Sequence, residues 1–100
     1  MGKVRAHAKR DANEKDIVKL IRSLGGGWVS TASIPGELDG IIGYAGHDIR
    51  CEIKDGTKSV SRRALSIDEQ KTFDEWPGRA PVIIECDDDV INLFNELRRT

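Results

Sequence analysis

The chain has 100 residues, a third of them charged, and a formal net charge of -1. That length suits one domain with a modest core, small enough for a partner subunit to add useful burial, so a homodimer is expected. The balanced charge says little about nucleic acid, but no apolar run approaches the roughly 18 residues of a membrane span and no hydrophobic signal core precedes the charged start, so a cytoplasmic protein with no membrane partner is expected.

Lys3, Arg5, Lys9 and Arg10 all precede the first acid, Asp11, and make residues 1–10 a basic arm. Such an arm can lie along phosphates, and the same composition is that of a solvated tail. A single domain is expected over 11–100. Asp11 and Glu14 have the spacing of an acidic cap, and Ile17, Leu20, Ile21 and Leu24 follow at helical spacing, which predicts a first helix from Ala12 to Leu24. Gly25-Gly26-Gly27 ends it, and Trp28-Val29-Ser30-Thr31 reads as a short strand.

After the turn at Ile34-Pro35-Gly36, Leu38 to Tyr44 and His47 to Lys54 read as a hairpin closed by Ala45-Gly46. In its second strand Ile49, Cys51 and Ile53 point to one face, Arg50, Glu52 and Lys54 to the other. Asp55 to Ser59 form a polar loop. Ser66 and Glu69 have the reciprocal spacing of a capping box, which opens a second helix over Ile67 to Trp76. Pro81 to Cys86 is the most apolar run and predicts a buried strand; Asp87, Asp88 and Asp89 then complement the N-terminal dipole of a last helix with an apolar stripe of Val90, Leu93, Phe94 and Leu97. The order α-β-β-β-α-β-α predicts a mixed α/β sheet domain. Cys51 and Cys86 sit in apolar stretches and are expected to be reduced core residues; with His7 and His47 they offer none of the close ligand pairs of a structural zinc site. Trp28 and Tyr44 have faces on which bases could stack, but in a chain with so few aromatics they are expected in the core and are assigned no site role.

A two-residue turn at Ala45-Gly46 sets Tyr44 against His47, and pairing outward puts Asp39 directly opposite Glu52. Facing carboxylates repel unless something positive lies between them, and a divalent cation meets that need. Lys54, two residues beyond Glu52 on the same face, can hold a water or a phosphate oxygen. Hard oxygen ligands suit Mg²⁺ or Mn²⁺, and this combination hydrolyses phosphodiesters. An isolated E-x-K is also the pattern of a solvated strand face. Glu14, three residues before Ile17, and Gln70, three after Ile67 and three before Phe73, are expected to turn inward and complete a polar cluster. Lys58, Arg62 and Arg63 flank the polar loop and would meet a phosphate backbone there, as Lys9 and Arg10 of the arm would.

With Glu14 in the first helix, Asp39 after a turn, Glu52-Ile53-Lys54 ending the next strand and Leu65 to Gln70 opening the second helix, the chain resembles the virus-type replication-repair nucleases. These are a branch of the PD-(D/E)XK superfamily related to Holliday-junction resolvases. The resemblance covers about residues 11 to 86. It implies a restriction-endonuclease-like αβββαβ core with a C-terminal helix, and metal-dependent cleavage of branched or structured DNA. It further implies that Asp39, Glu52 and the Ile53 carbonyl bind the metal, that Lys54 positions the attacking water, and that Glu14 and Gln70 support them. Leu38 stands where the motif has proline, and Gly40 follows the acid. A catalytically inactive nuclease-like fold that binds DNA or protein, and an unrelated small α+β domain, are the alternative readings.

Overall fold

Ile17 and Ile21, one helical turn apart, are fully buried and fix the inward side of helix α1 (Glu14–Ser23). The computed structural model describes residues 12–58 and 64–100, so the expected cap Asp11 lies outside the described residues. The helix is entered through Asn13, whose side chain makes no cap bond and instead donates to the Lys54 carbonyl at 3.1 Å. At the other end Gly25 (φ +93°) takes the left-handed conformation and Gly26 N–H returns to the Ile21 carbonyl at 2.9 Å, closing the helix.

Strand β1 (Gly27–Ser30) begins one residue before the predicted run. Strands β2 (Gly40–Tyr44) and β3 (His47–Ile53) are joined by Ala45 (φ +53°) and Gly46 (φ +83°), both left-handed, as a tight hairpin turn requires. Pairing follows the predicted register from Tyr44 with His47 out to Gly40 with Cys51. Helix α2 (Ile67–Glu75) starts at the Ser66–Glu69 capping box, both halves of which are formed. It leads to the short strand β4 (Val82–Ile84) and then to helix α3 (Asp87–Arg99).

The four strands form one mixed sheet in the order β1-β2-β3-β4, with β4 parallel to β3 and the other pairs antiparallel. The element order is thus that of an αβββαβ core with a C-terminal helix. Alternation puts Ile42, Ile49, Cys51, Ile53 and Ile84 on one face, where Ile17 and Ile21 of α1 and Val90, Leu93, Phe94 and Leu97 of α3 cover them. Tyr44 stacks on Phe94 with ring centroids 3.8 Å apart, and Trp28 packs against the same core. Cys86 departs from expectation: it is the N-cap of α3 and is exposed, because the buried strand ends at Ile84, two residues earlier. Among the described residues no helix is long and apolar enough to cross a membrane.

Gly40, the unexpected residue after Asp39, has a packing reason. A Cβ there would lie 2.6 Å from both Trp28 Cη2 and the Val29 carbonyl oxygen, so the Trp28 ring occupies the space a side chain would need. Gly40→Ala is predicted to destabilise by about 1–3 kcal/mol, the scale of core overpacking. Urea denaturation monitored by circular dichroism measures it, and an unchanged midpoint would contradict the packing.

Candidate active site

The site is assembled where the β2–β3 ladder ends. Thr31 N–H donates to the Asp39 carbonyl at 2.9 Å and Thr31 Oγ1 to the Leu38 carbonyl at 2.7 Å, so the backbone leading into β2 is held by the segment after β1. Asp39 therefore continues the register and meets Glu52 as predicted: its N–H donates to Glu52 Oε1 at 3.2 Å. One residue on, Ile53 N–H donates to Asp39 Oδ2 at 2.8 Å. The N–H and carbonyl of a residue in an extended strand point to the same side, so the Ile53 carbonyl is directed toward β2 and Asp39 as well. On the opposite side the β4 edge fixes the strand end, with Lys54 N–H donating to the Ile84 carbonyl at 2.9 Å.

Glu52 is buried, 4 % exposed, and shares its sheet face with Lys54, whose Nζ lies 3.5 Å from Glu52 Oε2. The same ammonium lies 3.3 Å from Glu69 Oε1. Glu69 is a site residue that periodicity did not find. Its position in the capping box was legible, yet the oxygen that accepts from Ser66 N–H at 2.9 Å also faces Lys54, so one carboxylate both starts α2 and pins the lysine. Glu69 also hydrogen-bonds the Glu52 side chain.

Three carboxylates around one lysine leave the cluster short of positive charge. Burial, helped by the hydrogen bond to Glu69 and the charges of Asp39 and Glu69, pushes the Glu52 carboxyl up to about 9, against which Lys54 acts only in part. The cost of burial on Glu69 is outweighed by its bonds to Glu52, Ser66 and Lys54, which hold it below the usual carboxylate range. Lys54 is likewise raised: burial disfavours its charge, but Glu69 and Glu52 more than compensate. Burial and its acidic neighbours thus favour the neutral form of Glu52, which would relieve the repulsion between the facing acids.

Glu14 is buried, 7 % exposed, in the first turn of α1, next to the Asn13 that holds the Lys54 carbonyl. Gln70 does not join the cluster. It is exposed and donates to Asp74 Oδ1 at 3.1 Å, because Ile67, whose inward orientation the prediction assumed, is 87 % exposed. Tethering of Glu69 to Lys54 rotates α2 so that the Ile67 and Gln70 side faces out. Lys58 is half-buried in the loop after β3, while Lys9, Arg10, Arg62 and Arg63 lie outside the described residues. Arg50, two residues before Glu52, pairs with Glu37 and stacks over the Trp76 ring at 4.0 Å, which ties the end of α2 to the sheet.

Among the described residues no three His, Cys, Asp or Glu side chains form a group able to hold a metal ion. The oxygen donors available are the Asp39 and Glu52 carboxylates and the Ile53 carbonyl. As hard oxygen donors these fit a divalent cation by type, and the surplus of acid over lysine, which favours the neutral form of Glu52, is the imbalance that a dication would correct. Comparison with protein-family models, characterised proteins and solved structures finds no significant match.

The raised Glu52 gives a signed pH dependence. Its contribution to stability is full below about 4.5 and is lost as pH rises toward about 9. The shifts of Glu69 and Asp55 act below the carboxylate range, and those of Lys54 and Cys51 act above pH 9, so they do not mask it. In chelator the Tm is predicted to fall from pH 5 to pH 9, and Glu52→Gln to flatten that slope. Parallel slopes in the two proteins would show that Glu52 is ionised throughout.

Proposed function

We propose that the chain is a metal-dependent endonuclease that hydrolyses phosphodiester bonds in DNA, with the resemblance to virus-type replication-repair nucleases carried as part of the same proposal. The observation that carries it is the meeting of Asp39 and Glu52 across the hairpin, with Ile53 N–H on Asp39 and Lys54 beside Glu52. Asp39, Glu52 and the Ile53 carbonyl would hold Mg²⁺ or Mn²⁺, which supplies an activated water at neutral pH and neutralises phosphate charge. Lys54, steered by Glu69, holds the water or a phosphate oxygen through its remaining N–H donors. Lys58 and Arg62, Arg63, Lys9 and Arg10 are proposed to meet the DNA backbone. A branched or structured DNA, a homodimer and a cytoplasmic setting complete the proposal. Monomer alone by light scattering at high concentration would exclude the dimer.

A second reading, a catalytically inactive nuclease-like fold that binds DNA or protein, is favoured by one observation. The Glu52 carboxylate already has Lys54, Glu69 and the Asp39 N–H as partners, a set that is satisfied without a cation.

Cleavage of labelled branched and linear DNAs with and without Mg²⁺ or Mn²⁺ separates the two. Asp39→Asn and Glu52→Gln are predicted to abolish cutting, and Lys54→Ala to slow it about 10²-fold or more. Glu69→Gln, which retains a capping-box acceptor, is predicted to slow it roughly 10–100-fold by releasing Lys54. Gln70→Ala leaves it unchanged. Metal-independent cutting, or full activity in either Asp39→Asn or Glu52→Gln, would refute the assignment.

A further inference from the structure

Helix α1 carries three exposed cations, Lys15, Lys19 and Arg22, on the side that adjoins β1. At 3.6 residues per turn they fall within an arc of about 60°, and at 1.5 Å per residue they extend about 10 Å along the axis. They stand at i, i+4 and i+7, so neighbouring positive charges repel one another along the helix. No ion pair among the described residues relieves them, whereas Arg50 and Lys54, elsewhere in the fold, are both paired. A solvated helix face is ordinarily laced with acids at these spacings. Here the single acid of the exposed side, Asp16, makes no such pair.

The stripe is one rim of an open groove of about 970 Å³ lined also by the half-buried Val18 and Trp28 and by two acids, the buried Glu14 and the exposed Asp16, against the three cations. A cationic rim over an apolar, aromatic floor matches a polymer that exposes negative charge on one side and flat apolar rings on the other. A single nucleic-acid strand has both, while a duplex presents phosphates and keeps its rings stacked inside. Of the residues the sequence singled out, Glu14, buried in the first turn of α1, also lines this groove.

We infer that the groove between α1 and β1 binds an unpaired nucleic-acid strand, with Lys15, Lys19 and Arg22 on its phosphates and Trp28 against its bases. The choice of nucleic acid over other polyanions rests on the nuclease reading; the groove itself does not need the carboxylates. The residues that carry this surface are other than those of the loop after β3 and the N-terminal arm proposed above to meet DNA.

The test is binding of a labelled oligothymidine of about 12 nucleotides to the full chain in chelator, where cleavage is silent. The variant K15Q/K19Q/R22Q, altered only at exposed positions, is expected to lower the slope of log affinity against log salt by about 2 and the affinity at low salt by about a hundredfold. In Trp76→Phe, whose remaining tryptophan is Trp28, oligothymidine is expected to quench the emission and inorganic polyphosphate to leave it unchanged. An unchanged salt slope in the triple variant overturns the groove. Duplex DNA bound equally well, with the same loss of slope and no change in Trp28 emission, overturns the single-strand assignment. Binding is read in chelator and cutting separately with Mg²⁺, so loss of cutting without loss of binding, or the reverse, tells failure of the catalytic reading from failure of this one.

Discussion

The left-handed pair Ala45-Gly46 governs where every polar group of the site falls. Because side chains alternate with period two, a turn one residue longer would exchange the faces of β3 relative to β2, sending Arg50 and Glu52 into the space now filled by Ile49 and Cys51. The apolar contacts of α1 and α3 with that face hold the register from the other side. Asp39 and Glu52 therefore meet as a consequence of core packing, and the bond from Ile53 N–H to Asp39 carries the ladder one step past the last regular pair.

Charge in the cluster is distributed rather than cancelled. Lys54 cannot neutralise three carboxylates, and burial shifts the balance at Glu52 toward its neutral form. Glu69 stays ionised because the α2 N-terminus, through Ser66 N–H, and Lys54 both favour its charged form. Two acids in contact are thereby driven apart in acidity by their surroundings.

Much of the fold was legible because its signals are local. Helical spacing in α1 and α3, alternation in β3, the hairpin turn and the Ser66–Glu69 box each depend on residues within a few positions of one another. The facing of Asp39 and Glu52 was reachable because one turn propagates along a ladder. What failed was tertiary. The rotation of α2 could not be read from Ile67 and Phe73, since the helix buries none of its residues and takes its orientation from a salt bridge to a distant lysine. Gln70 and Glu69 exchanged roles for that reason. Cys86 was misplaced because an apolar run does not reveal where its strand stops pairing, and the fit of Gly40 under Trp28 joins residues 12 positions apart through a ring no pattern describes.

Helix α2 crosses from β3 to β4 without a single buried residue. Its attachments are the Glu69–Lys54 bridge, the bond from Thr72 Oγ1 to the Gly36 carbonyl at 3.1 Å, and the stacking of Trp76 with Arg50 just beyond its end. With so little apolar area to expose, its backbone amides are expected to open at lower free energy than those of β3. Detachment of this one segment would free Lys54 from Glu69 while the sheet and its covering helices stay folded. The cluster is thus built half on a buried strand of the sheet and half on a helix that buries none of its residues.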